Sequence, residues 1–192
     1  MEKHQRGQTL IELLVTVSVI ACLGAAGTIT VNRSRRAVGL AAVTSELRAV
    51  VQRTRITAIT HNRNVAIRFR PSADTWSVSI YEDGDGDGVR NDDIAAGIDR
   101  LIEPPRLIRF PPARIGTPSA AIPDPATGAP LSARSPVRFG SSQLCSFTRR
   151  GEVTNGSIVV TDDTTANVVR VHGTSGQIDV ERWNGAKWIT GD

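Results

Sequence analysis

The chain has 192 residues and carries 23 Lys and Arg against 19 Asp and Glu, a formal net charge of +4. That length holds one domain with its own core plus a membrane helix. Cys22 lies in an apolar segment and Cys145 far along the chain, which excludes an intramolecular disulfide. His61 and His172 fall in no metal-ligand spacing, His4 lies in the short polar stretch at residues 1–7, and no G-x-S-x-G or P-loop pattern is present, so the sequence argues against an enzyme.

Residues 1–7 are polar and include Lys3 and Arg6, and residues 10–31 form an apolar run in which Glu12 is the one carboxylate. About 20 apolar residues in a helix cross a bilayer. A carboxylate inside such a helix costs roughly 2.5–3.5 kcal/mol at its centre, so Glu12 needs a partner. One reading is local: Thr9-Leu10-Ile11-Glu12 has the spacing of a capping box at a helix start. Small residues at Gly24-Ala25-Ala26-Gly27 also leave an ordinary cleaved secretory signal open.

The string Gly7-Gln8-Thr9-Leu10-Ile11-Glu12-Leu13-Leu14-Val15 resembles the class III signal of type IV pilins and type II secretion pseudopilins. The resemblance implies that a prepilin peptidase cuts after Gly7 and methylates the amine of Gln8, which stands where the family most often has Phe. It also implies that Glu12 directs assembly with other pilins or pseudopilins. In staggered parallel helices its carboxylate would neutralise the N-terminal ammonium of a neighbouring subunit, and each charge would lower the other's cost. Lys3 and Arg6 favour a cytoplasmic N-terminus, whereas Arg33, Arg35 and Arg36 oppose it. Large following domains translocate largely regardless of such charges, so a single pass through the bacterial inner membrane with a periplasmic body is expected.

Residues 37–60 contain no Pro and place Val43, Leu47, Val50, Val51, Thr54 and Ala58 three and four apart, an apolar stripe under a basic face. One helix from about Thr9 to about Thr60, roughly 75 Å long, is expected, half in lipid and half packed on the body. Gly24, Gly27 and Gly39 are either weak points in it or sites of close helix packing. Its arginines are either solvated or in contact with acidic partners such as other subunits, lipid headgroups or nucleic acid.

The period then changes to two. Residues 65–70 and 76–81 alternate across Pro71-Ser72-Ala73-Asp74, the mark of a hairpin. Asp83, Asp85 and Asp87 followed by Gly88 reproduce the first half of an EF-hand-type calcium loop, with Asn91 and Asp93 as candidates to complete it because Ile94 stands where the bidentate Glu belongs. A solvated Gly-Asp hairpin loop is the other reading. Residues 104–136 are Pro-rich and read as a long surface loop with one strand at 106–110. Strands follow at 137–139, 144–148, 157–161, 168–172 and 177–183, with Asn155-Gly156 and Asp162-Asp163 as hairpin-type turns. The fold expected is α+β and pilin-like, a long N-terminal helix on an antiparallel β-sheet body. Its divisions are a leader at 1–7, a transmembrane helix half at 8–31, an amphipathic half at 32–62 and a globular domain at 63–192.

The Asp-Gly loop after a Trp-containing hairpin, Phe147-Thr148-Arg149-Arg150-Gly151, Gly156-Ser157-Ile158-Val159-Val160, residues 168–172 and Gly176-Gln177-Ile178 are together similar to the GspH/FimT family of minor pseudopilins and minor pilins. The resemblance implies a minor pseudopilin of a type II secretion system, or alternatively a FimT-like minor type IV pilin of pilus biogenesis or DNA uptake. Some FimT-like members bind DNA through a glycine-arginine motif near the C-terminus. Here Gln177 replaces that arginine, which leaves Arg149, Arg150, Arg170 and Arg182 as the candidate phosphate-binding residues.

Overall fold

The computed structural model describes residues 5–173 and 175–191, except for the side chains of 5–9, 23–30, 32–33 and 191. The helix α1 spans Gln5–His61, 57 residues. The chain divides into two compact units, one ending at Val38 and the other beginning at Gly39.

The expected stripe is the buried face of α1 in the second unit. Leu47 and Ala58 are fully buried, and Val43, Val50 and Val51 are 1 % exposed. Thr44 and Thr54 share this face without leaving a polar atom unpaired, because their hydroxyls donate to the carbonyls of Leu40 and Val50 at 2.7 and 2.8 Å. The helix stops where Asn62 takes a left-handed conformation, φ 52°. The Arg63 N–H then donates to the Ala58 carbonyl and the Asn62 N–H to that of Ile59, a Schellman ending with Asn in the usual glycine place.

Two antiparallel sheets share the core with α1. In the first, β1 (Val65–Ser72) and β2 (Thr75–Glu82) form the expected hairpin, with Ser72 opposite Thr75 and only Ala73-Asp74 in the turn. The short helix α2 (Asn91–Ala96) follows, and β3 (Arg100–Leu107) returns along β2. The second sheet begins with β4 (Arg109–Phe110) and β5 (Ala113–Ile115), and β6 (Val137–Arg138) joins it later. The strand β7 (Leu144–Phe147) goes back to the first sheet beside β1, giving the order β3-β2-β1-β7. β8 (Gly156–Thr161), β9 (Ala166–Val171), β10 (Ile178–Trp183) and β11 (Trp188–Gly191) complete the second sheet in the order β11-β10-β9-β8-β5-β4, with β6 also pairing β8.

Alternation along the strands makes three apolar clusters. Val65, Ile67 and Phe69 of β1 join Ile158 and Val160 of β8, Val169 and Val171 of β9 and the helix stripe in the main core. The intervening residues face the other way. Val159, Ala166 and Val168 pack with Ile122 and Leu131, and Ala66 packs with Val89 and Leu144.

Several expectations needed correcting. The Pro-rich stretch, expected as a long surface loop, packs on the second sheet: Ile122 and Leu131 are 2 % and 1 % exposed, and the Trp188 indole N–H donates to the Pro123 carbonyl at 2.8 Å. Pro104 and Pro105 lie inside β3, where the sequence suggested irregular chain. β3 is an edge strand with register shifts against β2, so the two missing N–H groups interrupt little of the ladder. The strand expected at 106–110 is split, because at the fully buried Ile108 the chain passes from one sheet to the other. Asn155-Gly156 makes no hairpin, since β7 and β8 belong to different sheets. Gly156 is required for another reason: a Cβ there would lie 2.2 Å from the Phe139 ring and 2.4 Å from the Arg138 carbonyl oxygen. Asp162-Asp163 does turn β8 into β9, with Asp163 at φ 75° and the Asp162 carboxylate accepting from the Thr164 and Thr165 N–H groups.

Candidate functional site

The first unit presents residues 10–22 of α1 as a band of apolar side chains open on all sides. Leu10 and Leu13 are 65 % and 67 % exposed, and Ile11, Leu14, Val15, Val17, Val19 and Ile20 are exposed as well. The two hydroxyl residues within the band satisfy themselves. The hydroxyl of Thr16 donates to the Leu13 carbonyl at 2.8 Å and that of Ser18 to the Leu14 carbonyl at 2.7 Å. Glu12 is exposed in this band and has no hydrogen-bond or ion-pair partner among the described residues. The helix already runs from Gln5, so Thr9 is not its cap and Glu12 is not in its first turn. The capping-box reading is therefore overturned. The backbone of Gly7 and Gln8 is helical, while the Gln8 side chain lies outside the described residues. Among the described residues no helix is long and apolar enough to cross a membrane. The span expected at 8–31 includes residues 23–30, whose side chains lie outside the description.

In the body, Asp83, Asp85 and Asp87 do converge, with one oxygen of each within 4.8 Å of the others. Asp83 is almost fully buried and organises the loop. Its Oδ1 accepts from the N–H groups of Asp85 and Gly86 at 3.2 and 2.7 Å, and its Oδ2 accepts from Gly88 N–H at 2.9 Å and the Asn64 amide at 2.6 Å. Burial works to raise its pKa, but the Asn64 amide and those three N–H groups prevail and hold the carboxyl below the usual range. With both oxygens engaged by donors, Asp83 is a loop-building carboxylate. Partial desolvation and the nearby Asp85 and Asp93 carboxylates push Asp87 upward against the pull of Arg90, its partner at 2.5 Å. Asn91 and Asp93 lie in the first turn of α2. The Asn91 amide donates to the Ser142 carbonyl at 3.0 Å, and the Asp93 carbonyl accepts from Ile98 and Asp99. Asp99, which sequence reasoning missed, fastens the far side by accepting from Gly84 N–H at 3.2 Å and Arg90 N–H at 2.9 Å.

The four candidate phosphate-binding arginines do not form one surface. Arg149 and Arg150 lie together in the turn after β7, on a polar cleft of about 570 Å³ walled by residues 62–64, 83–86, 148–150 and 152. Arg170 alternates with Val169 and Val171 and so lies on the sheet face away from the main core, paired with Glu181 at 2.9 Å. Arg182 is in step with the core residue Val180 and faces α1.

Two arginines of the basic face, Arg53 and Arg55, are occupied within the molecule. Arg53 makes a two-pronged contact with Glu103 at 3.1 and 2.9 Å, and Glu46 pairs with Arg106. Arg55 is the unexpected one. Its guanidinium donates to the carbonyl of Gly151 at 2.9 Å and of Gly176 at 3.4 Å, and both glycines are left-handed, at φ 83° and 63°. A Cβ on Gly176 would lie 2.5 Å from the guanidinium carbon. Gly176, which stands where the glycine of the family's glycine-arginine motif would be, is thus a seat for Arg55. Its only sequence signal was a lone glycine after each of two strands.

Residues 3–28 match the family model described as the prokaryotic N-terminal methylation motif. No curated protein and no solved structure matches the chain. The matched segment holds Gly7, Gln8 and Glu12 and runs through the exposed apolar band. This type IV prepilin-like signature supports a pilin-like family for the chain, implies processing by prepilin peptidase and assembly with other pilins, and suggests a membrane-anchored N-terminus.

Proposed function

We propose that the chain is a minor pseudopilin of a type II secretion system, a structural subunit cut after Gly7, methylated at Gln8 and held in the bacterial inner membrane by one helix with its body in the periplasm. The observation that carries this reading is the methylation motif at residues 3–28, set on an exposed apolar helix whose Glu12 has no partner among the described residues. An exposed apolar surface of that extent needs lipid or other helices around it. Glu12 then acts in assembly, where the ammonium of a neighbouring subunit's first residue offsets its cost. The FimT-like reading, a minor pilin taking up DNA, has less support, because Gln177 replaces the motif's arginine and the candidate arginines are dispersed.

The test is the intact mass and N-terminal residue of the membrane-extracted protein, made with and without prepilin peptidase. A chain beginning at methylated Gln8 only when the peptidase is present is expected, and a chain beginning near Ala25 would overturn the proposal. Glu12→Ala is expected to be processed normally and to be lost from the assembled complex. Normal incorporation would remove the assembly role.

A further inference from the structure

The hairpin of β4 and β5 ends in an uncovered apolar tip. Arg109 stands opposite Arg114 and Phe110 opposite Ala113, so Pro111-Pro112 is the turn between them. Phe110 is 49 % exposed, and both prolines are exposed with it. Neither proline has a backbone N–H, so taking this tip out of water sacrifices fewer hydrogen bonds than an ordinary turn would. The tip is fastened to α1. A Cβ on Gly39 would lie 3.0 Å from the Phe110 carbonyl oxygen and 3.1 Å from its ring, so the close approach depends on that glycine.

Gly39 is also the first residue of the second unit. Residues 32–38, which include Arg33, Arg35 and Arg36, are all that separates it in the chain from the apolar run ending at Val31. Cations border the tip on the body as well. Arg109 reaches Asp74 only at 3.8 Å, with its side chain 48 % exposed. Arg114 donates to the Asp74 carbonyl at 2.8 Å, which brings the turn between β1 and β2 beside the hairpin. Just before that turn is Arg70, exposed and with no side-chain partner among the described residues. An aromatic ring on a projecting turn with arginines around it suits the boundary of a bilayer, where rings settle at headgroup level and guanidiniums meet phosphates.

We propose that the Phe110-Pro111-Pro112 tip enters the headgroup layer of an anionic phospholipid membrane, with Arg70 and Arg109 meeting its phosphates. The proposal rests on reading the N-terminal part of α1 as a membrane anchor and adds a second contact, made by the body itself. An anchoring helix alone leaves the body free to turn over the membrane. The tip chooses the side that leans on the lipid.

The test is fluorescence quenching of the full chain reconstituted in vesicles of phosphatidylglycerol and phosphatidylethanolamine, with Trp76, Trp183 and Trp188 as the background subtracted. Phe110→Trp keeps an aromatic ring and reports its surroundings. Its added emission is expected to be quenched by phospholipid brominated near the carbonyl end of its chains and protected from iodide in the water. Ile56→Trp, at a position 60 % exposed and about 25 Å further along α1, is expected to show the reverse. Exchanging the lipid for phosphatidylcholine, or adding Arg70→Glu and Arg109→Glu, should weaken the bromolipid quenching of Phe110→Trp. An added tryptophan open to iodide overturns the contact, and so does one shielded from both quenchers, as a neighbouring subunit would shield it. Equal bromolipid quenching at 56 and 110, or quenching indifferent to lipid charge, overturns it as well. Alkaline carbonate extraction of the same vesicles separates the contact from the anchor. A chain that stays in the vesicles with residue 110 in water loses only the tip contact, and a chain that washes out loses the membrane anchor too.

Discussion

The two ends of α1 are built from the same kinds of residue and have opposite surroundings. Leu13 is 67 % exposed and Leu47 fully buried, and Val19 is 51 % exposed where Val43 is 1 %. In the second stretch the chain itself supplies the partner, because β1, β8 and β9 each turn alternate apolar residues toward the helix. In the first, the described part of the chain supplies none. Burial is therefore a property of what the rest of the sequence brings to a helix face, and an apolar face left open is a statement about something outside the polypeptide.

That contrast can be broken at several points. The largest effect is expected from Leu47→Ala, which removes a fully buried side chain and should lower the unfolding free energy by about 2–5 kcal/mol in denaturant melts of the detergent-solubilised chain. Gly176→Ala comes next, at about 1–3 kcal/mol, since it strains a left-handed residue and forces Arg55 off its carbonyl. Adding Arg55→Ala should make the two changes non-additive, because both act on one contact.

A smaller effect comes through pH. Burial alone would raise the pKa of Asp124, which is 3 % exposed, but the Arg138 guanidinium and the N–H groups of Ala126 and Thr127 hold it below the usual carboxylate range. A carboxyl depressed in the folded state stabilises fully above its unfolded pKa, and that contribution fades as pH falls through the folded value. Asp83 acts in the same direction. Stability should hold steady from pH 7 to about 5 and drop below about 4. Asp124→Asn should flatten the drop, and an unchanged acid limb would assign the pH dependence elsewhere. The smallest effect is expected from Leu13→Ala, within about 0.5 kcal/mol of wild type in the same melts, as for an exposed position. A loss as large as that of Leu47→Ala would mean that the exposed band is part of the body's core, and the comparison would fail.

How much of this could be read beforehand depended on how local the signal was. The stripe from Val43 to Ala58, the hairpin at Ala73-Asp74 and the turn at Asp162-Asp163 were all legible, because each rests on periodicity or turn chemistry within a few residues. The two-sheet arrangement was not. Which strand β7 pairs with is decided across the fold, and the sequence around Asn155-Gly156 looks the same whether it closes a hairpin or carries the chain from one sheet to the other. Pro104-Pro105 misled because proline reports only what an interior strand forbids, and β3 is at an edge. At the site, Gly7, Gln8 and Glu12 stood out by motif alone. The roles of Asp99 and Arg55 did not, since each serves backbone atoms brought from distant segments.

The seating of Arg55 has a mechanical consequence. A helix resting on a body through apolar contacts alone can slide or roll at modest cost, because one methyl group substitutes for another. A guanidinium held by the carbonyls of Gly151 and Gly176 cannot, since a one-residue slip turns a helix by about 100° and carries the side chain away from both. Arg55 works as a key in a keyway. Tension or torque applied along the amphipathic half of α1 would load those two hydrogen bonds in shear before the apolar packing yields, and the body would turn with the helix instead of around it.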